Sequence, residues 1–358
     1  MSGSIVNRPT VSVTICTPGT HAATNCSTID NVILDTGSSG LRLFASAIPS
    51  ATLSTLTSQT QSSTGDAIAE CASFGSGYTW GTVRSADIKL SSEIAQNVPV
   101  NILTDPSLAE SAPSDCQVST ALSTVSALGA NGILGVGVAA QDCGAICASS
   151  AVDAAYYACD SSTCSATTQA LTLQIGNPVQ YFPTDNNGLI VEMAQVADSG
   201  ASTGSGTLVF GIDTQTNNAL SGTGATVFTT DAYGDVGSTY NGTFTANNAY
   251  FDTGSNGFFF EDASIARNSQ SWFAPSSTLH LSVAISGANA STATIGFNIA
   301  NANTLFATGN YAFNDLGGAE FSGFALGAPF FYGRHVYFGI TGTTSSGGTG
   351  PYVSYVSN

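Results

Sequence analysis

The sequence predicts an all-β protein made of two pseudo-symmetric β lobes with a central cleft. Short alternating or apolar runs are separated by clusters of Gly, Ser, Asn and Thr, a pattern typical of strands joined by turns. The tetrapeptide Asp-Thr-Gly-Ser occurs twice, at residues 35–38 and 252–255, each time after a short apolar run. An apolar pair followed by Gly comes later in each half, at residues 133–135 and 325–327. The repeated order of these motifs indicates that each half carries one copy of the same arrangement.

The length of the chain allows one large β domain or two lobes. It has 358 residues, 42% of them hydrophobic, which is enough for a substantial core. Residues 198–206 are rich in Gly, Ser and Thr and lie between two strand candidates, so we place the boundary there. The prediction is an N-terminal lobe over residues 5–198 and a C-terminal lobe over residues 199–358. We leave residues 1–4 out of the fold prediction and recognise no signal segment in them.

The N-terminal half begins with clear strand signals. Residues 10–16 alternate with a period of two, and residues 31–34 form an apolar run that ends at the first Asp-Thr-Gly. Residues 74–90 alternate around three glycines and predict a hairpin. The helical signal is limited to residues 46–57 and 147–158.

The C-terminal half continues with short strands. Two strand candidates, residues 188–192 and 206–211, lie on either side of the boundary segment. Three more follow, at residues 225–229, 242–246 and 279–285.

The charge balance excludes several classes of partner. The chain has 23 acidic residues against six Lys and Arg, for a net charge of −17. Because six cations are too few to form a basic patch, nucleic acid and anionic membranes are poor candidate partners. The sequence contains no run of about 18 apolar residues, the length that would predict a membrane span.

The cysteines predict disulfides and an oxidising compartment. There are eight, all in the first half: Cys16, Cys26, Cys71, Cys116, Cys143, Cys147, Cys159 and Cys164. An even number favours pairing, and a bridge between Cys16 and Cys26 across a Pro-Gly turn is the pair we predict. Residues 141–166 are predicted to be an inserted loop held by its own sulfurs. Zinc binding there is disfavoured, because tight Cys-x2-Cys spacing and a nearby His are missing. We expect a secreted, periplasmic or cell-surface protein without a cofactor or metal.

The two Asp-Thr-Gly copies suggest a reaction that needs paired carboxylates. When two carboxyl groups lie a hydrogen bond apart, both cannot ionise, so one holds the proton that the other has lost. Such a pair contains an acid and a base at the same time. Asp35 and Asp252 are therefore the candidate catalytic residues. The three histidines, in contrast, show no arrangement that would suggest a nucleophilic triad.

These segments resemble those of the pepsin-like aspartic proteases, and the similarity spans nearly the whole chain. Residues 33–39 resemble the first active-site loop of that family, and residues 251–255 resemble the second. Residues 132–135 and 325–327 are similar to the apolar-apolar-Gly segments that thread through each lobe. The Ala, Thr and Asn-rich composition and the cysteine insert suggest a divergent bacterial branch.

The resemblance implies roles for both loops. Asp35 and Asp252 would hold a water between them, one acting as the general base and the other as the general acid. The neighbouring glycines would let the backbone turn sharply, the threonines would hydrogen-bond across the lobe interface, and the serines would donate to the outer carboxylate oxygens. These supporting residues are Thr36, Gly37, Ser38, Thr253, Gly254 and Ser255.

The resemblance also implies a flap that closes over the substrate. Residues 74–77 are similar to this hairpin, and nearby apolar side chains would favour hydrophobic residues beside the cut. The candidate substrate-binding residues are Phe74, Gly75, Ser76, Gly77, Tyr78, Leu41 and Phe258, with Phe260 as a further apolar candidate.

Three positions depart from the family pattern. Phe74 occupies the position of a flap Tyr, and Arg42 occupies that of a Trp with which this Tyr normally hydrogen-bonds. Because both partners have changed, neither is left unsatisfied, and Tyr78 or Trp80 is a candidate replacement. Asn256 stands where Ser or Thr is more usual.

Two functional hypotheses follow from the sequence. The first is an aspartic endopeptidase that hydrolyses peptide bonds of a peptide or protein substrate at acidic pH, and the resemblance implies that it is a monomer. The alternative is a catalytically inactive pepsin-like module that binds a peptide, a glycan or a partner protein. Both aspartates and both Thr-Gly pairs are intact, which favours the enzyme. A structural β-protein with two chance motifs would not account for the repeated apolar-Gly segments.

Overall fold

The structure is a computed structural model that describes residues 6–319 and 323–357. Strands account for 43% of the chain and helices for 9%, which confirms the predicted all-β class. Residues 1–4 and the outer lobe limits at residues 5 and 358 lie outside the described residues.

The first ten strands form one continuous sheet. They are β1 (Thr10–Cys16), β2 (Ser27–Asp35), β3 (Ser39–Phe44), β4 (Thr57–Ser58), β5 (Ala67–Phe74), β6 (Gly77–Leu90), β7 (Glu93–Leu103), β8 (Gly132–Val136), β9 (Tyr156–Cys159) and β10 (Cys164–Ala166). The spatial order is β1-β2-β8-β3-β7-β6-β5-β9-β10, with β4 paired to β6. The sheet therefore bends back on itself, because β1 also pairs with β6.

The remaining strands form a five-stranded sheet, a seven-stranded sheet and a small two-stranded ribbon. They are β11 (Gly188–Met193), β12 (Gly206–Phe210), β13 (Thr226–Thr229), β14 (Val236–Tyr240), β15 (Thr243–Phe251), β16 (Phe258–Phe260), β17 (Leu279–Ser286), β18 (Thr292–Ile299), β19 (Gly317–Ala319), β20 (Phe324–Leu326), β21 (Arg334–Gly339), β22 (Thr344–Ser345), β23 (Gly348–Thr349) and β24 (Tyr352–Ser357). The five-stranded sheet has the order β12-β11-β21-β24-β13, so it joins strands from both sides of the predicted boundary at residue 198.

Helices are short and lie between the strands. The α-helices are α1 (Ser50–Leu53), α2 (Val125–Leu128), α3 (Ala145–Ser149), α4 (Ala302–Ala307) and α5 (Ala328–Phe331). Within residues 6–319 and 323–357, three 3-10 turns span Ala45–Ala47, Leu171–Leu173 and Pro178–Tyr181.

One five-strand pattern occurs twice. In the first sheet the order is β1-β2-β8-β3-β7, and in the seven-stranded sheet it is β14-β15-β20-β16-β19. The successive pairings are antiparallel, parallel, antiparallel and parallel in both. Each Asp-Thr-Gly copy follows the second strand of its pattern, and each apolar-Gly motif lies on or beside the third. The internal repeat in the sequence is therefore also a repeat in topology.

A large apolar core joins the three main sheets. Buried residues from the first sheet, such as Leu34 and Leu134, belong to the same cluster as Phe251, Leu326 and Phe338 from the other two. Burying such side chains contributes roughly 1.5–3 kcal/mol each, so the strands that carry the two motifs are held firmly in place.

Most predicted strands are present with small shifts at their ends. The segment 74–90 is an exception, because it is not a hairpin: Gly77–Leu90 is one long strand, and the turn at Gly75 and Ser76 joins it to Ala67–Phe74. Gly81 marks a close approach inside that strand, since a Cβ there would lie 2.1 Å from the carbonyl oxygen of Ile102.

The two helix predictions are only partly right. Residues 46–57 contain α1, which begins after Pro49. Residues 147–158 contain the end of α3 but finish in β9, where Tyr156 and Tyr157 are buried and their strand pairs with β5. Tertiary pairing overrides the local helical signal there. Part of the predicted inserted loop thus extends the first sheet.

The cysteines form four disulfides. The predicted bridge between Cys16 and Cys26 is present, and Cys71 is paired with Cys116. The insert is held by its own bridges, as predicted, with the pairs Cys143–Cys147 and Cys159–Cys164. This disulfide set is consistent with an oxidising extracellular or periplasmic compartment. Among the described residues, no helix has the length and apolarity needed to cross a membrane.

Removing the Cys71–Cys116 disulfide should cost the most stability of the four bridges. It closes the longest loop, with a sequence separation of 45, and both sulfurs are buried beside the β5 strand. The chain-entropy estimate is about 4 kcal/mol for the paired Cys71→Ala and Cys116→Ala variant. For the Cys159→Ala and Cys164→Ala variant it is about 2 kcal/mol. Urea unfolding in the absence of reductant compares the two, and equal losses would contradict the prediction.

Candidate active site

Two strand ends bring the two Asp-Thr-Gly copies together. Val32, Ile33 and Leu34 are buried in β2, which runs parallel to β8 with Asp35 opposite Gly135. In the second copy, Phe251 of β15 is opposite Leu326 of β20, and the Asp252 amide donates to the Leu326 carbonyl at 3.1 Å. The apolar runs fix the strands in the core, so each aspartate emerges at a rigid strand end.

Both carboxylates have the same hydrogen-bond donors. The Gly37 amide donates to Asp35 Oδ1 at 2.9 Å, and Ser38 Oγ donates to Asp35 Oδ2 at 2.6 Å. The Gly254 amide donates to Asp252 Oδ1 at 2.7 Å, and Ser255 Oγ donates to Asp252 Oδ2 at 2.6 Å. The predicted serine hydrogen bonds are therefore present in both loops, and they fix each carboxyl group in one orientation.

The two threonines connect the loops. Thr36 Oγ1 donates to the Phe251 carbonyl at 2.9 Å and accepts from the Thr253 amide at 3.0 Å. Thr253 Oγ1 donates to the Leu34 carbonyl at 2.7 Å and accepts from the Thr36 amide at 3.1 Å. Both side chains are buried, and each hydroxyl is used as donor and acceptor. The predicted cross-loop bonds are present, and they fix the distance between the aspartates.

The glycines allow the carboxyl groups to approach each other. A Cβ at Gly37 would lie 2.8 Å from Asp252 Cγ, and a Cβ at Gly254 would lie 2.8 Å from Asp35 Oδ1. Any larger residue would collide with the opposing aspartate. Burial, the charge of Asp35 and a hydrogen bond with Asp35 together raise the pKa of Asp252 well above its ordinary value. The pair therefore keeps one proton where an isolated aspartate has lost it.

The aspartates lie in a cleft of about 960 Å³. Phe74, Gly75 and Ser76, which form the end of β5 and the turn into β6, line this cleft. Apolar side chains of Ile33 and Leu122 add to the same wall. The cleft is large enough to hold a peptide segment of several residues.

Four other predicted substrate contacts need correction. Leu41 and Phe258 are buried within central strands, with 0% and 2% of their surface exposed, and both belong to the core. Gly77 is buried against the Thr120 carbonyl, 2.3 Å from the position a Cβ would take. Tyr78 packs with the Cys71–Cys116 disulfide cluster. None of the four is among the residues that line the cleft. Phe260, the further apolar candidate, is likewise buried in the core.

Phe259 and Trp272 line the cleft and were not predicted. Phe259 lies between Phe258 and Phe260 on β16, and the rings of Phe259 and Trp272 are 5.4 Å apart. Side chains alternate between the two faces of a strand, so only one of the two faces of this Phe triplet points into the core. A strand of three Phe residues has no alternation of apolar and polar side chains, so the sequence does not show which of its faces is buried.

Arg42 occupies a buried charged cluster beneath the flap. Its guanidinium pairs with Glu70 of β5, lies 3.6 Å from Asp142 Oδ2 and is 5.7 Å from the centre of the Phe74 ring. Tyr156 donates from its hydroxyl to Asp142 Oδ1 at 2.7 Å. Burial and the charge of Glu70 raise the pKa of Asp142. The buried Arg42 cation therefore lies next to the Phe74 ring, at the end of β5.

Tyr78 and Trp80, the candidate replacements for a flap tyrosine, are not among the residues that line the cleft. Trp80 Nε1 donates to the Glu110 carbonyl at 3.1 Å, and its ring packs edge-on against Tyr157. Tyr78 belongs to the same cluster.

Asn256, the third position that departs from the family pattern, lines the cleft. Its carbonyl accepts a hydrogen bond from Asn7 Nδ2 at 3.0 Å.

The Asp252→Asn variant should be more stable than the wild type at pH 7. Because the pKa of Asp252 is raised by folding, this carboxyl costs stability once the pH exceeds the unfolded value near 4, and the cost grows as the pH rises toward the folded value. Removing it should gain on the order of 2 kcal/mol at pH 7 and nearly nothing at pH 4. Thermal unfolding at both pH values measures this, and an equal change at the two would contradict it.

Comparison with known proteins gives a family without an assigned activity. A family profile described as "Protein of unknown function (DUF3443)" matches residues 1–355. No curated protein matches the chain.

Proposed function

For this chain, which belongs to the DUF3443 family of proteins of unknown function, we propose the activity of an aspartic endopeptidase of the pepsin-like type. The proposal includes the bilobal fold of that family, with lobes over residues 5–198 and 199–358 and the cleft between them. It also includes an extracellular or periplasmic location. The observation that carries it is the pair of facing carboxyl groups, Asp35 and Asp252, with identical hydrogen-bond donors.

The geometry supports an acid and base mechanism. Burial and the neighbouring carboxyl raise the pKa of Asp252, so the pair keeps one proton, and one carboxyl can act as the acid while the other acts as the base. A water between them loses a proton to the base as its oxygen attacks the scissile carbonyl carbon, and the protonated carboxyl donates to the carbonyl oxygen. The tetrahedral intermediate then collapses as the C–N bond breaks: the leaving nitrogen takes the proton that the base received from the water, and a hydroxyl of the intermediate returns a proton to the other carboxyl as the new carbonyl forms. The Ser and Gly donors stabilise the ionised form of each carboxyl in turn.

The repeated topology also supports the proposal. Each aspartate follows the second strand of the same five-strand pattern, so the two catalytic groups approach with related geometry. The turn at Gly75 and Ser76 lines the same cleft as the two aspartates and would cover an extended peptide. Excluding water in this way strengthens electrostatic interactions at the reacting bond.

The test is cleavage of a generic unfolded protein between pH 2 and pH 7, with new N-termini identified by mass spectrometry. The Asp35→Asn variant, purified identically, is the control for contaminating proteases. Cleavage that peaks on the acid side and is missing from the variant supports the proposal. If the folded wild type cuts nothing at any pH, the proposal fails. The inactive binding module then becomes the better hypothesis, and the changed residues Arg42 and Phe74 would explain the lack of activity.

A further inference from the structure

The cleft has an acidic residue that the dyad does not use. Asp235 lines the cleft and immediately precedes β14. Its side chain is partly buried, yet among the described residues its carboxylate has neither a hydrogen-bond donor nor a cation beside it. A carboxylate that has lost part of its hydration without gaining a partner is poorly satisfied in the free protein. It is therefore ready to bind a cationic group.

The loop that carries Asp235 is held rigidly. Asp231 Oδ1 accepts from the Tyr233 amide at 2.9 Å and from the Asp235 amide at 3.0 Å, and the Asp231 amide donates to the Asp235 carbonyl at 3.0 Å. Gly234 packs against Val138, with 3.3 Å between the position of a Cβ and Val138 Cγ2. The Asp231 carboxylate is thus used to form the loop, whereas that of Asp235 is free to contact a ligand.

Tyr233 adds a surface suited to a long cationic side chain. It also lines the cleft, and 68% of its surface is exposed, which is unusual for a tyrosine without a partner to cover it. A Lys or Arg side chain has an apolar stem and a charged end. The stem can lie on the Tyr233 ring while the charged end reaches Asp235, and an aromatic face itself attracts cations.

The charges are asymmetric along the cleft. Arg8 is the one cation among the cleft-lining residues that the structure describes, and its Nη1 donates to the carbonyls of Leu128 and Gly129 at 3.2 Å. These residues precede β8, whereas Val138, which contacts the Asp235 loop, follows it. Arg8 and Asp235 thus lie toward opposite ends of β8, and a basic side chain of a substrate would be attracted to the Asp235 end and repelled at the other.

We propose that Asp235 determines specificity, and that the cleft selects peptides with Lys or Arg at the position facing residues 231–235. This inference rests on the proposed protease function. Burial and the charge of Asp231 raise the pKa of Asp235 to about 6, so the preference should be strongest near and above pH 6 and should weaken as the pH falls. A bound cation would offset both effects and favour the ionised form.

The test compares peptides that differ at a single position near the cut bond. Lys, Arg, Gln and Glu are placed in turn at each position on both sides, and kcat/KM is measured at pH 6.5 for the wild type and for Asp235→Asn. We expect the wild type to prefer Lys or Arg over Gln at one position by at least about tenfold. Asp235→Asn should remove this preference. The control Asp153→Asn, which removes an exposed acid outside the cleft, should keep it.

The outcomes separate this inference from the proposed function. If the wild type cleaves peptides but shows no preference for a basic residue, or if Asp235→Asn retains the preference, the inference is wrong and the protease proposal stands. If no peptide is cleaved at any pH between 2 and 7, the protease proposal fails, and calorimetric binding of the Lys and Gln peptides at pH 6.5 to wild type and Asp235→Asn decides the role of Asp235. Equal affinity for both peptides would overturn it.

Discussion

Replacing Asp35 or Asp252 with Asn is expected to lower kcat/KM for a cleavable peptide by about 10³–10⁴-fold at the optimum pH. Asn keeps the shape of the side chain but can neither accept the proton of the water nor donate one as an acid does. The Gly and Ser donors to each side chain should keep it in place, so the loss would be chemical rather than structural. Initial rates with a fluorogenic peptide measure it.

The double variant should be no slower than either single variant. The two carboxyl groups act as one unit, and removing either member already removes the shared proton, so the effects are not additive. Ser38→Ala is the matched comparison, because it removes one charge-assisted hydrogen bond to Asp35 and leaves both carboxyls. A loss of about 10–100-fold is expected there. Single variants that retain more than about a tenth of the wild-type rate would contradict the dyad.

The dyad could be predicted from the sequence because its geometry follows from short, local rules. An apolar run ending in Asp-Thr-Gly predicts a buried strand with a carboxylate at its end, and two copies predict two such ends. The parallel pairing of β2 with β8 and of β15 with β20 corresponds to the order of the motifs. Because Gly37 has no side chain, Asp252 can then approach it closely.

The surroundings of the dyad could not be predicted in the same way. Arg42 lies in an apolar strand, so its buried charge requires an acidic partner. The sequence does not show which of the 23 acidic residues is that partner. Glu70 and Asp142 become its partners only through the pairing of distant segments. The loop at Asp235 likewise faces the cleft because of its packing against Val138, a contact that no local pattern indicates.

Replacing Arg42 with Met is expected to destabilise the fold by about 3–5 kcal/mol at pH 7. Arg42 and Glu70 are only 3% and 1% exposed, and Asp142 lies close by. Met fills much of the volume of Arg but lacks its charge, so two buried carboxyl groups lose their cation. Glu70 is on the same strand as Phe74, so the loss also loosens the base of the flap. Urea unfolding followed by tryptophan fluorescence measures the change.

The pH dependence distinguishes the loss of charge from the loss of packing. Without the cation, the buried carboxyls must be protonated to stay inside the fold, whereas they ionise on unfolding above pH 4. The penalty of the Arg42→Met variant is therefore complete at pH 7 and falls as the pH approaches 4. A packing defect would cost the same at both pH values. Adding Glu70→Met should recover most of the loss at pH 7, because an ion pair replaced by apolar residues is close to neutral. Lys89→Met, which removes an exposed cation, should change stability by less than about 0.5 kcal/mol at either pH.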